Sequence, residues 1–330
     1  MGVMRFGWIA DAINNQPDYR LHYELYRPFR SYDMLVFVKS MTPECLRLAE
    51  TFRRSGGRVL FDINVNYFDV SGNFYYNGMK PTDAQVQDAS AMAGGSDGVI
   101  AASTSIEESC RKFNPRTVCI PDNVNQVIVP ARRARTSTGS PLRLLWSGQA
   151  MKLFDLLAIE EILRHFRRHI EVVIVTTDLK VLEMVFEPHR TRLRKLLADL
   201  ECKTINFESI PRLLEIYAEG GVLVSPRFLD SSYNCGHTEW KITLGMACGR
   251  VAVCSPQRSY QEVSRLSGGT GIRVCDDRSA WCEVFDSMLS GRFDWASEEA
   301  AAARVVSEHY STSVIAGRHA GFINSVLGAG

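Results

Sequence analysis

The chain alternates short apolar runs with segments of helical period, and it does so twice. In the first half "MRFGWIA", "YDMLVFVKS", "GRVLFDIN", "SDGVIAAS" and "TVCIPDNVN" read as strands. Between them, "TPECLRLAETFRRSG" has helical period from Thr42 or Pro43, and "TSIEESCRKFN" reads as a helix. Near-continuous apolar strands separated by helices predict a parallel sheet covered on both faces.

Composition shifts at residues 130 to 143, "PARRARTSTGSPLR", which is basic, polar and poor in apolar groups. Beyond it the alternation restarts with "LRLLWSG", "EVVIVTTD", "KTINFES", "GVLVSP" and "RVAVCSP" as strands. Helices are expected at "MKLFDLLAIEEILRHFRRH", "PHRTRLRKLLADLE" and "PRLLEIYAEG". A chain of 330 residues exceeds what one core usually supports, roughly 250–300 residues, so two cores are expected. The expected division is residues 1–130 as a first domain, 131–143 as a linker, 144–305 as a second domain and 306–330 as a helical tail able to cross back to the first. The fold class is α/β, with two Rossmann-like, doubly wound parallel sheets facing a central cleft. Ligands of such sheets bind beyond the carboxyl ends of the strands, so the cleft should hold the chemistry.

Charge narrows the function classes. Lys plus Arg number 38 and Asp plus Glu 37, so no global field draws the protein to nucleic acid or to anionic lipid. Any anion site must be local. The apolar start is too short for a signal sequence, and Phe6 stands where a myristoylation signal needs Ser or Thr. No run approaches the ~20 apolar residues of a membrane span, which leaves only peripheral membrane contact open. Nine cysteines without a C-x-x-C pair predict free thiols in a reducing, cytoplasmic setting.

Two stretches carry candidate chemistry. In "SSYNCGHTEWK" a loop through Asn234 and Gly236 turns into a helix with Thr238 as the expected N-cap. Gly236 would keep that helix start open to an anion, which its unpaired N–H groups favour. Lys241 in the first turn opposes the helix dipole at a cost of about 0.3–1 kcal/mol unless an anion is bound. Glu239 suits the dipole but repels phosphate unless it reaches a sugar hydroxyl, and His237 alone reads more often as a loop or capping histidine than as a catalytic one. In "LLWSGQAMK", Ser147, Gly148 and Gln149 form a strand-to-helix turn after Trp146, with Lys152 placed to reach a diphosphate.

These segments also resemble a known family. The order "FVKSMTPECLRLAETFRRSGGRVLFDINVNYFD", "SDGVIAASTSIEESCRKFNPRTVCIPDNVN", "LRLLWSGQAMK", "SSYNCGHTEWKITLGMACGRVAVCSP" and "SYQEVSRLSGGTGIRV" is similar to the GT-B fold glycosyltransferases of family 4 and their relatives. The resemblance implies a nucleotide diphosphate sugar as donor substrate, bound mainly by the second domain through Trp146, Ser147, Gly148, Gln149, Asn234, Gly236, Thr238 and Glu239. It implies Lys241, Lys152 and His237 as catalytic candidates. The acceptor, a glycan, a lipid-linked sugar or a small molecule, would lie on the first domain, with Asp11, Asn14, Asn15 and Asp62 as candidates. No cofactor is implied. No Asp-x-Asp triplet occurs, so no metal is expected.

The chain departs from the family where Leu244 replaces an acid that commonly contacts the donor ribose, where Asn64 and Asn66 replace possible carboxylates, and where Gln149 replaces a basic residue. Two further readings therefore stay open: a sugar-nucleotide epimerase or hydrolase on the same fold, and a silent sugar-nucleotide-binding partner of a transferase.

Overall fold

The computed structural model describes residues 3–131 and 141–328. Most of the expected linker, residues 132–140, lies outside the described residues. The first half builds a four-stranded parallel sheet from β1 (Met34–Val38), β2 (Arg58–Ile63), β3 (Gly98–Ala101) and β4 (Thr117–Cys119), in that order. The second builds six parallel strands: β5 (Leu142–Gly148), β6 (Ile170–Thr176), β7 (Lys203–Asn206), β8 (Val222–Ser225), β9 (Ala252–Cys254) and β10 (Ile272–Val274). Their order is β10-β9-β8-β5-β6-β7, so the direction of winding reverses between β5 and β8.

Strand periodicity explains why both faces are covered. In β5 and β6, Leu144, Trp146, Val172 and Ile174 enter one core while Leu145, Val173 and Val175 enter another. Strands buried on both sides have to be apolar throughout, which is the pattern seen in the sequence. In the first sheet Phe37, Phe61 and Val99 face one layer, and Leu60 and Ile100 face the other.

That second layer differs from the sequence expectation. "MRFGWIA" is helical, a wide turn over Val3–Gly7 running into the helix Trp8–Asn14. Ile9 and Ile13, one helical turn apart, pack against Leu60, Ile100 and the helix Thr312–Leu327 through Ile315, Ala316 and Ile323. A short apolar run does not distinguish strand from buried helix, and here a C-terminal helix supplies the partner face that settles it. The expected helix after β5 also divides, into a 3₁₀ segment Ala150–Ile159 and an α-helix Glu160–Phe166. All nine cysteines are free. Among the described residues no helix is long and apolar enough to cross a membrane.

A segment of the first half reaches into the second. Backbone bonds join Ser232 N–H to Ser71 O (3.0 Å), Asn73 N–H to Asp230 O (3.0 Å) and Phe186 N–H to Tyr75 O (2.8 Å). Tyr75, Tyr76 and Met79 are buried within the second lobe's core. The aromatic run "NYFDVSGNFYYNG" is thus loop packing that fastens the lobes.

Candidate active site

The reversal between β5 and β8 opens a crevice at their carboxyl ends, and three cations converge there. Gly148 ends β5 at φ +152°, where an added Cβ would meet the Trp146 ring at 3.0 Å, so only glycine fits this turn. The chain then tightens through Lys152 N–H to Gln149 O (2.9 Å) and directs Lys152 into the crevice. Arg227 follows β8, and Lys241 lies in the first turn of the helix Trp240–Ala247.

Each cation has a fixed seat. Lys241 Nζ sits 4.1 Å from the centroid of the Trp146 ring, and Lys152 Nζ lies 5.5 Å from that of Tyr233. Lys152 Nζ is also 3.2 Å from His237 Nε2. When Lys152 is charged it can only donate in this contact, and a neutral His237 then accepts at Nε2. Burial first, then Lys152, Arg227 and Lys241, hold the imidazole well below its ordinary pKa, in agreement with that neutral form.

Arg227 is buried and donates from Nη1 to Asp155 Oδ2 at 2.9 Å. Asp155 is fully enclosed, and its Oδ1 accepts from Phe228 N–H (3.3 Å) and Asn234 Nδ2 (3.3 Å). Burial raises the Asp155 pKa, and Arg227 followed by Lys241 opposes the rise. Lys152 is pushed down to about 7, mainly by burial and then by the Arg227 charge. Three cations therefore surround one carboxylate, an arrangement that repels itself until an anion enters. Two buried donors, Arg227 Nε and Trp146 Nε1, have no acceptor among the described residues. Buried donors are normally paired, so an acceptor-rich ligand fits both observations. An open pocket of about 740 Å³ adjoins Arg227 and is bounded also by Ser255, Asp276 and Trp281.

The structure thus brings together Lys152, Lys241, His237, Trp146, Gly148 and Gln149, and it adds Arg227 and Asp155, which the sequence reading did not single out. Arg227 stands two residues beyond the apolar run of β8, which was the available signal. Asp155 is hidden in "KLFDLL", where one acid in an apolar helix-like run reads as a solvated position.

Other expected residues are placed differently. Ser147 Oγ is 2.6 Å from the Tyr217 hydroxyl inside the fold, and Asn234 secures the loop through Phe228 O (2.8 Å). Gly236 does not hold the helix start open. Its carbonyl accepts from Ser103 Oγ (3.0 Å), and a Cβ would fall 2.8 Å from Asn66 Cβ, so glycine there lets the lobes touch. Thr238 is not the N-cap. The helix begins after Glu239, and the Thr238 hydroxyl donates to Asp122 Oδ2 (2.8 Å). Trp240 Nε1 donates to Asn123 O (3.0 Å) beside it. The first lobe therefore covers this helix end.

Glu239 is buried, with its pKa raised to about 8 chiefly by desolvation. Its charged neighbours are Asp122, Arg5 and Arg318, which puts it against the first lobe rather than among the cations. Leu244 is 1% exposed and belongs to the core with Leu145 and Val173.

The acceptor-side candidates do not gather in the cleft. Asp11 and Asn15 are exposed on the helix Trp8–Asn14 or its end, and Asn14 brackets the Tyr23 backbone at 2.7 and 2.8 Å. They lie on the layer covering the sheet because the expected first strand is a helix. Asp62 is taken by Arg5, at 2.6 and 3.1 Å, and Arg5 Nη1 also reaches Asp122 (2.9 Å). One cation of the first lobe does approach the crevice. Lys39 follows β1 with φ +53°, a left-handed conformation that costs a non-glycine residue roughly 1–2 kcal/mol.

No protein-family model and no curated protein sequence matches the chain. Solved structures do match over nearly its whole length. Sucrose-phosphate synthase from Thermosynechococcus elongatus superposes with a TM-score of 0.66 at 14% identity, covering 91% of this chain and 75% of its own. HepE from Anabaena in complex with UDP gives 0.66 at 9% identity, over 96% and 82%. A UDP-forming α,α-trehalose-phosphate synthase from Burkholderia xenovorans gives 0.61 at 14% identity, over 97% and 78%. With two parallel sheets, the second winding outward from a switch point between β5 and β8, the chain has the fold of the GT-B glycosyltransferases.

Proposed function

We propose that the protein transfers a sugar from a nucleotide diphosphate sugar to an acceptor held by the first lobe, without a metal. The observation that carries this reading is the convergence of Lys152, Arg227 and Lys241 on one carboxylate at the switch point, with Arg227 Nε and Trp146 Nε1 lacking acceptors. HepE structures of the same fold hold UDP and UDP-glucose, which supports a uridine nucleotide as the first donor to try. The acceptor class remains a glycan, a lipid-linked sugar or a small molecule. Nine free thiols support a reducing, cytoplasmic setting.

Cleavage of the bond between sugar and diphosphate builds negative charge on the leaving oxygen. Fixed cations at that oxygen lower the barrier because they need no reorganisation when the charge develops. Lys241 and Arg227 would face the diphosphate, and Lys152 would join them as the anion restores its proton. His237 positions Lys152 through the Nζ–Nε2 contact. These cations supply the charge neutralisation that a metal provides in other transferases, so turnover should persist in EDTA.

Release of UDP from UDP-sugars across an acceptor panel tests the reading. Arg227→Ala and Lys241→Ala should each lower kcat/KM about 10²–10³-fold, the scale of one lost transition-state contact. Unchanged turnover in both variants would remove the cation cluster from the mechanism. A second reading, a silent sugar-nucleotide-binding partner, is favoured by the core position of Leu244 where the family carries an acid. It requires UDP-glucose to raise Tm with no transfer to any acceptor. Products formed without an acceptor would instead indicate an epimerase or hydrolase.

A further inference from the structure

Lys39 has a position that the donor reading does not use. It stands at the carboxyl end of β1, in the first lobe, with its Nζ 5.9 Å from the centroid of the buried Tyr67 ring. No carboxylate lies within ion-pair distance of it among the described residues. Its backbone is left-handed, and its N–H donates to Asp62 O at 2.7 Å. Asp62 is itself clamped by Arg5, so the turn that presents Lys39 rests on a buried ion pair. Strained backbone of this kind persists only where its surroundings over-determine it.

Lys39 in the first lobe and Lys152 in the second have matching seats, one lysine over Tyr67 and the other over Tyr233. Tyr67 is near enough to Tyr233 to raise its pKa, and the Lys39 charge contributes to lowering that of Lys152. Charge accounting then separates the two lysines. Lys152, Lys241 and Arg227 against Asp155 leave two positive charges, which a diphosphate diester with two negative charges neutralises. The Lys39 charge is left over on the acceptor side.

We propose that Lys39 binds an anionic group, a phosphate or carboxylate, on the substrate portion that enters from the first lobe. This rests on the reading of the second-lobe cations as the diphosphate site. The group has two possible bearers, the acceptor or the transferred sugar, and both present the same chemistry to Lys39.

Calorimetry on the full chain separates them. With the protein saturated in UDP, inorganic phosphate should bind wild type, should bind Lys39→Met at least tenfold more weakly, and should bind Lys39→Arg within about threefold of wild type. That result places the anion on the acceptor. A tenfold or greater preference for UDP-glucuronic acid over UDP-glucose, lost in Lys39→Met, places it on the transferred sugar. UDP itself should bind wild type and Lys39→Met alike. If UDP binds and neither anion effect depends on Lys39, this proposal is overturned while the donor site stands. Failure of UDP to bind wild type would overturn the donor reading beneath it.

Discussion

Lys152 gives the site a pH dependence with a defined sign. In the empty crevice its pKa is about 7, lowered first by burial and then by Arg227 and Lys39. A bound diphosphate favours the charged form and raises that value, so binding takes up a proton. The Lys152 contribution to affinity is therefore complete well below pH 7 and is lost as pH rises from 7 toward the bound-state pKa. Lys241, also depressed by burial, acts in the same direction. UDP-glucose is the suitable ligand because its diphosphate diester does not titrate in this range. Calorimetry in buffers of different ionisation enthalpy should show net proton uptake at pH 8 and a Kd that rises from pH 7 to 9. A Kd independent of pH, or one that falls, would mean that neither lysine faces the diphosphate. Both lysines were singled out in the sequence, Lys241 because a cation in a helix's first turn opposes the dipole and Lys152 because it follows a glycine turn at a strand's carboxyl end. Arg227 and Asp155 were not legible in this way. Their significance is mutual, and residues 72 positions apart reveal it only once β5 and β8 are neighbours.

At the scale of elements, strands were easier to read than helices, and the reason is burial on both faces. β2, β3, β5, β6 and β8 are apolar nearly throughout, so their runs identify them without knowledge of neighbours. The N-terminal run was misread because Ile9 and Ile13 become a helical face only against Ile315 and Ile323, some 300 residues later. The wide turn Val3–Gly7 that leads into this helix carries Arg5, whose guanidinium bridges Asp62 and Asp122, all at 1–4% side-chain exposure. Removing one member of a buried ion cluster leaves uncompensated charge, a loss of about 3–5 kcal/mol. Arg5→Met, which keeps much of the apolar volume, should lower the urea midpoint accordingly without changing the m-value. Because Asp62 also accepts from Lys39 N–H and Asp122 from Thr238, the same variant should weaken donor turnover more than a surface substitution of equal charge. A midpoint within experimental error of wild type would show that the cluster contributes no stability.

The whole molecule is interlocked, and this bears on how its lobes can move. Tyr75, from the first half, stacks on Phe154 at 4.8 Å and Phe228 at 5.1 Å, and its hydroxyl donates to Asp230. In return, the helix Thr312–Leu327, from the end of the chain, completes a core of the first sheet. Each lobe thus contains part of the other's sequence: the sequence allowed for a C-terminal tail crossing back to the first domain, but not for a first-half segment entering the second. Lobes with exchanged segments cannot unfold independently without exposing the partner's core, so urea unfolding should be a single transition with coincident fluorescence and circular dichroism. Tyr75→Ala removes the aromatic plug and leaves a cavity, which should cost about 3–5 kcal/mol, as for other buried aromatics. Tyr75→Phe loses only the bond to Asp230 and should cost about 1–3 kcal/mol. The difference between the two variants measures the stacking, and the test of interlocking lies in the shape of the Tyr75→Ala curve. If the segment Ser71–Met79 is the fastening, that curve separates into two transitions while Tyr75→Phe and wild type keep one. Two transitions already present in wild type would show that the lobes fold independently, and would make domain closure around the donor the better account of how Lys39 meets the second-lobe cations.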